Sequence, residues 1–286
     1  MASLPFSASV SLPLPSFQIF REYLLPIALF AAAPLVPLQW VLASYLVFGQ
    51  AHFLMAFLYQ GRAGKTRRPQ YIALALVTIA VLFWYFREVA LVTPMFVLAA
   101  IAFGAHFAVD EFFLHKETLT RSKQVTVAAF ILLYSTLVFM YVNPALAPLG
   151  PLAAGVSILL LLTRAFSKVR PSAAERYLFL NTILLILLSV VLKLPAQVLD
   201  VIILLHGANW LIAYGIKVNP NPGRKRRYWT DTFVTFAVPS VLFALFSMAG
   251  FSIFQFIFSP MYWDGWAIAH FVLSSRFASG PQAPLG

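Results

Sequence analysis

Apolar runs of about 18 residues or more recur along this chain from Tyr23 to Val272. A helix of that length rises roughly 27 Å, close to the thickness of a bilayer's hydrocarbon core. Lipid offers no hydrogen bonds, so a spanning backbone must satisfy its own, which a helix does. The pattern predicts an all-α, polytopic transmembrane helix bundle of about ten spans. The expected spans are 22–38, 39–60, 70–87, 91–115, 124–143, 150–167, 177–194, 197–217, 229–249 and 253–276. Prolines punctuate several ends, and Pro26, Pro34 and Pro37 interrupt the first span. Composition agrees: 61% of the 286 residues are hydrophobic, 10% are charged, and mean hydropathy is +0.86. A soluble domain carries about a quarter charged residues.

Residues 1–20 read as a flexible or interfacial leader, 21–277 as the transmembrane helical domain and 278–286 as a short tail. The leader is Ser/Pro-rich and lacks a basic n-region, so it does not resemble a cleaved signal peptide.

The net charge of +11 has a pattern. Basic residues gather at Arg62, Lys65, Arg67 and Arg68; at Lys116, Arg121 and Lys123; at Arg164, Lys168, Arg170 and Arg176; and at Lys217 and Arg224 to Arg227. Arg276 follows the last expected span. Each group follows an even-numbered span, whereas the alternate connections hold only Arg87 and Lys193. Cytoplasmic loops carry the excess of Lys and Arg. The chain therefore reads as five hairpins with both termini cytoplasmic, an integral multi-pass protein of the bacterial inner membrane in contact with membrane lipid. The same pattern argues against a nucleic-acid partner. Trp229, Trp263 and Trp266 suit an interfacial belt.

There are no cysteines, which excludes disulfides and thiolate metal sites. Walker A, GxSxG and HExxH motifs are also absent from the sequence.

Four of the five histidines lie inside even-numbered spans: His52, His106, His206 and His270. Ala-His-Phe occurs at three of them. Counting to the next basic residue gives 10 from His52, 10 from His106, 11 from His206 and 6 from His270. Ten residues of helix are roughly 15 Å, half of a hydrocarbon core. Helices running the same way bring such imidazoles to one layer near the midplane. Polar groups in hydrocarbon need partners, and a shared divalent cation satisfies several imidazoles together. Imidazole suits Fe, Cu, Zn and Ni. Ala51, Gly104, Ala105, Gly207, Ala208 and Ala269 allow close helix approach. Two other readings stand beside a metal site: axial ligation of haem or pigment, and a polar packing layer.

Asp110 follows His106 by four residues and shares its helix face, as an orienting carboxylate or a ligand. Asn209 follows His206 by three and can share that face. Glu111 is expected to point elsewhere and His115 to be interfacial. Asp200 and Asp264 read as interfacial caps. The span at 150–167 has no histidine, and its hairpin reads as a structural insert.

The four intramembrane histidines, the hairpin without one, and His106-Phe107 followed by Asp110 resemble the bacterial and archaeal Brp/Blh family of β-carotene 15,15'-dioxygenases. The resemblance implies a membrane enzyme that cleaves β-carotene to retinal with O₂. It also implies non-haem Fe(II), or another divalent metal, held by His52, His106, His206 and His270. Local departures exist: Phe53 stands where that family has Gly, and Ser274 and Ser275 stand where it carries an Asp. Three functions are thus carried forward. They are an intramembrane non-haem iron oxygenase acting on a carotenoid or similar apolar substrate, a pigment- or haem-binding subunit of a membrane complex, and a transporter or assembly factor.

Overall fold

The computed structural model describes residues 18–62, 89–193, 195–249, 267 and 270. The expected spans 70–87 and 253–276 therefore lie outside the described residues, apart from Ala267 and His270. Asp264 lies outside them too.

Every element among the described residues is helical. The helices are α1 (Leu25–Ala32), α2 (Leu38–Arg62), α3 (Val89–Leu114), α4 (Gln124–Val142), α5 (Leu149–Ala165), α6 (Ala173–Ile186), α7 (Pro195–Val218) and α8 (Pro222–Ala249). Four stretches are long and apolar enough to cross a membrane: Val97–Leu114, Gln124–Val142, Ala173–Val191 and Pro222–Leu245. Val47–Tyr59, Leu149–Ala165 and Val201–Ile216 are apolar but shorter.

The first expected span is broken by its prolines. A π turn (Phe20–Leu24) leads into the 8-residue α1, with Pro26 in its first turn. A 3₁₀ turn (Ala33–Leu35) follows, and Val36 is extended. Proline fits a first turn but cannot donate within a helix, so Pro34 and Pro37 stop the segment. The length of α1 is about 12 Å, well short of a bilayer.

The packing centres on α7, which touches α1, α2, α3, α4 and α8. Helix α4 is the second hub, packed on α3, α5, α6 and α7. Phe107, Phe130, Leu133, Tyr134, Leu137, Tyr177 and Leu178 form its buried core. Gly104 and Gly207 permit close approach against aromatic rings. A Cβ on Gly104 would lie 2.5 Å from the Tyr134 ring, and one on Gly207 would lie 2.8 Å from the Phe48 ring.

Polar clamps hold the helix ends. At the end of α3, Lys116 adopts a left-handed φ of 56°. Its N–H reaches the Phe113 carbonyl, and the Glu117 N–H reaches that of Phe112 at 2.8 Å. This is the Schellman closure of a helix C-terminus. Glu117 then accepts from Lys123 Nζ at 2.9 Å and from the Ala174 amide at 3.2 Å, fastening the α3–α4 turn to the start of α6. Ser172 and Glu175 form a capping box on α6. Glu175 also receives a bidentate pair from Arg164 at 2.6 and 2.8 Å, while Ser157 donates to the Ala129 carbonyl. The α4–α5 hairpin is thereby tied to α6, while α4 itself also packs on α3 and α7.

Candidate metal centre

Helices α2, α3 and α7 run in the same direction. His52 and Tyr59 of α2 meet His206 and Tyr214 of α7 in that order. His106 and Asp110 of α3 meet His206 and Trp210. This common direction puts the three histidines at one level.

His270 joins them, although its count to the next basic residue is shorter. The ring centres form a closed quadrilateral. His52 lies 5.0 Å from His206 and 5.1 Å from His270. His106 lies 5.1 Å from each of the same two. With metal–nitrogen bonds of about 2.0–2.2 Å, neighbouring imidazoles on one ion have centres roughly 4.5–5.2 Å apart, for right-angled to tetrahedral geometry. The observed sides match the upper part of that range.

Two overlapping groups of ligand atoms lie within 4.8 Å of one another: His52, His206 and His270, and His106, Asp110 and His206. His206 belongs to both. It is 1% exposed, and neither ring nitrogen has a hydrogen-bond partner among the described residues. Nε2 of His52 is in the same condition. Leaving a buried polar atom unsatisfied costs about 1–3 kcal/mol, which coordination would remove. The donor set thus fits a divalent transition metal.

The two sides of the histidine layer differ. One turn before the histidines lie Gly49, Phe103 and Ile203. With Phe53 and the rings of His52, His206 and His270, they enclose a space of about 10 Å³, roughly one water-sized molecule. One turn after lies the polar side. Asp110 Oδ2 sits 3.3 Å from His106 Nε2 and 4.0 Å from His206 Nε2, and accepts from Trp210 Nε1 at 3.0 Å.

Asn209 lies near the site but faces away from the imidazoles. Its amide donates to Glu111 Oε1 at 3.1 Å and to the Tyr177 hydroxyl. Glu111, fully buried, points to Asn209 and not to an imidazole of the cluster, as expected; Trp210, which donates to Asp110, is a residue that sequence reasoning missed. His115 Nδ1 donates to the Glu111 carbonyl at 2.7 Å. His115 Nε2 lies 2.9 Å from Arg21 and 3.2 Å from Glu22. His115 is therefore a buried link between the N-terminal segment and α3, where exposure at an interface is expected. Its position five residues after Asp110 gives no hint of Arg21 or Glu22, which are distant in sequence. For Asp200, the helix is described but not the side chain.

The fold and site define an all-helical protein with apolar helices of membrane-crossing length and a buried four-histidine cluster. No family model, curated protein or solved structure matches the chain.

Proposed function

We propose that this chain is a multi-pass membrane enzyme, a non-haem iron oxygenase acting on a carotenoid or a similar long apolar substrate. In this reading the chain makes ten spans in five hairpins, with both termini cytoplasmic. The observation that carries it is the ring quadrilateral of His52, His106, His206 and His270, with His206 buried and without a hydrogen-bond partner among the described residues. Sides near 5 Å leave no room between the rings for a haem or chlorin macrocycle, which weighs against the pigment reading. A packing layer of imidazoles has no use for buried nitrogens left unsatisfied.

Fe(II) bound at these imidazoles would supply a site for O₂ and the electrons that activate it. The chain's own residues do the rest. The four histidines hold the ion as neutral imidazoles. Asp110 fixes the ring of His106 from the polar side, and Trp210 fixes Asp110. Phe53, Phe103 and Ile203 make the opposite side apolar, around an enclosed space about the size of one water molecule. A polyene is far larger than this space, so its approach requires the rings of Phe53 and Phe103 to swing aside. Such a substrate arrives directly from lipid.

The test is expression in a β-carotene-producing host. The reading expects loss of orange colour, accumulation of an aldehyde cleavage product, and full colour with His206→Ala. Unchanged pigment in cells holding the folded, iron-loaded protein would remove the carotenoid substrate.

A further inference from the structure

A run of oxidisable side chains leads from the histidine cluster to the edge of the fold. The Trp210 ring centre lies 6.4 Å from that of His206. Tyr214, one turn further along α7, stacks on Trp210 at 5.1 Å. Tyr59 of α2 is 6.3 Å from Tyr214 and 6.2 Å from Tyr228 of α8. Trp229 is 5.2 Å from Tyr228 and is 50% exposed. Indole and phenol are the side-chain rings that most readily lose one electron. Each step is short enough for rapid electron transfer between neighbouring rings.

Two carboxylates accompany the run. Trp210 donates its N–H to Asp110, and Tyr59 donates its O–H to Asp231 at 3.2 Å. An indole or phenol that has lost an electron becomes strongly acidic, and both of these have an acceptor in place. A second aromatic path from His206 differs. It passes through Phe107 and Phe130 to Tyr134, which is buried. Phenylalanine resists oxidation, so that path serves packing alone.

We propose that Trp210, Tyr214, Tyr59, Tyr228 and Trp229 form a one-electron conduit between the histidine cluster and the protein surface. The proposal rests on the metal reading above. Its use is rescue: a metal ion oxidised by O₂ or peroxide in the absence of substrate is returned to its reduced state. Trp210 passes one electron to the oxidised centre while its N–H stays hydrogen-bonded to Asp110. Tyr214 refills Trp210 and keeps its phenol proton, because Tyr59 refills it in turn; the Tyr59 proton is held by Asp231 until Tyr228 refills Tyr59. Tyr228, which donates to the Leu211 carbonyl, keeps its proton while Trp229 refills it. A hydroquinone-class reductant gives Trp229 one electron and releases one of its own protons to water. The sum is one electron moved from that donor to the centre, with every protein proton restored.

The full chain is loaded with Fe(II), its iron content is measured, and hydrogen peroxide is added without substrate. Freeze-quench electron paramagnetic resonance and peptide mass mapping follow. The conduit predicts an organic radical and addition of oxygen at Trp229, both several-fold above the metal-free protein. Trp210→Phe should cut Trp229 oxidation several-fold and shift oxygen addition to His206. Tyr59→Phe keeps the ring and removes only the phenol; it should lower Trp229 oxidation while the radical persists on Trp210 or Tyr214. Equal Trp229 oxidation in the iron-loaded wild type and both variants overturns the conduit and leaves iron binding intact. Failure to bind iron overturns the metal reading and the conduit together.

Discussion

Trp210 and Asp110 stand at matching positions on parallel helices, each four residues after a cluster histidine, and the indole of one donates to the carboxylate of the other at 3.0 Å. The bond ties α3, one turn beyond His106, to the helix that carries His206. It places the Asp110 carboxylate beside the cluster on the side opposite the small apolar space.

Asp110→Asn keeps the side chain's shape but lowers its power to hold an imidazole. Loss of such a supporting group costs about 10–100-fold in metal affinity. Competition titration with a metal-binding dye should report a drop in that range, with helix content unchanged by circular dichroism. Unaltered affinity would show that Asp110 does not support the cluster.

The Arg164–Glu175 pair is a structural element away from the site, with side chains 3% and 0% exposed. Removing one partner strands the other charge, at a cost of about 3–5 kcal/mol. Glu175→Ala should therefore lower the unfolding midpoint sharply. Arg164→Met combined with Glu175→Leu should recover much of the loss. Denaturant unfolding of the three proteins in detergent measures both.

Glu117 gives a pH dependence with a definite sign. Its partial burial pushes the carboxyl up, but hydrogen bonds from Ser172, Lys123 and the Ala174 amide outweigh that and hold it below the ordinary carboxylate value. A depressed folded pKa contributes stability that is fully present above the unfolded value of about 4.3 and lost as pH falls through the folded one. Acid should loosen the α3–α4 turn from α6. Hydrogen exchange at Ala174 should quicken below that range in the wild type; in Glu117→Gln it should already be quick at neutral pH. Identical exchange in the two proteins would contradict the clamp.

Depth along the helices was legible in the sequence, while rotation about their axes was not. Counting residues from His52, His106 and His206 to the following basic group places three imidazoles at one level, and the structure brings their rings together. Asp110 was legible too, because four residues return to the same helix face. The partners of Glu111 and His115 were hidden. Helices apolar all round carry no polar stripe to show which face meets which neighbour. Glu111 thus reaches Asn209, and His115 reaches Arg21, across more than 90 residues of sequence. Trp210 was missed for a different reason. An aromatic residue in an apolar helix reads as packing, although its offset from His206 equals that of Asp110 from His106.

The central claim is that one ion sits among four imidazoles, and elemental analysis tests it most directly. Protein purified in detergent, supplied with Fe(II) under anaerobic conditions and freed of excess metal, should hold about one iron per chain. His206→Ala, which removes the histidine common to both ligand groups, should hold far less while remaining folded. Well under one metal per chain in the wild type, or equal iron in wild type and variant, would contradict the account.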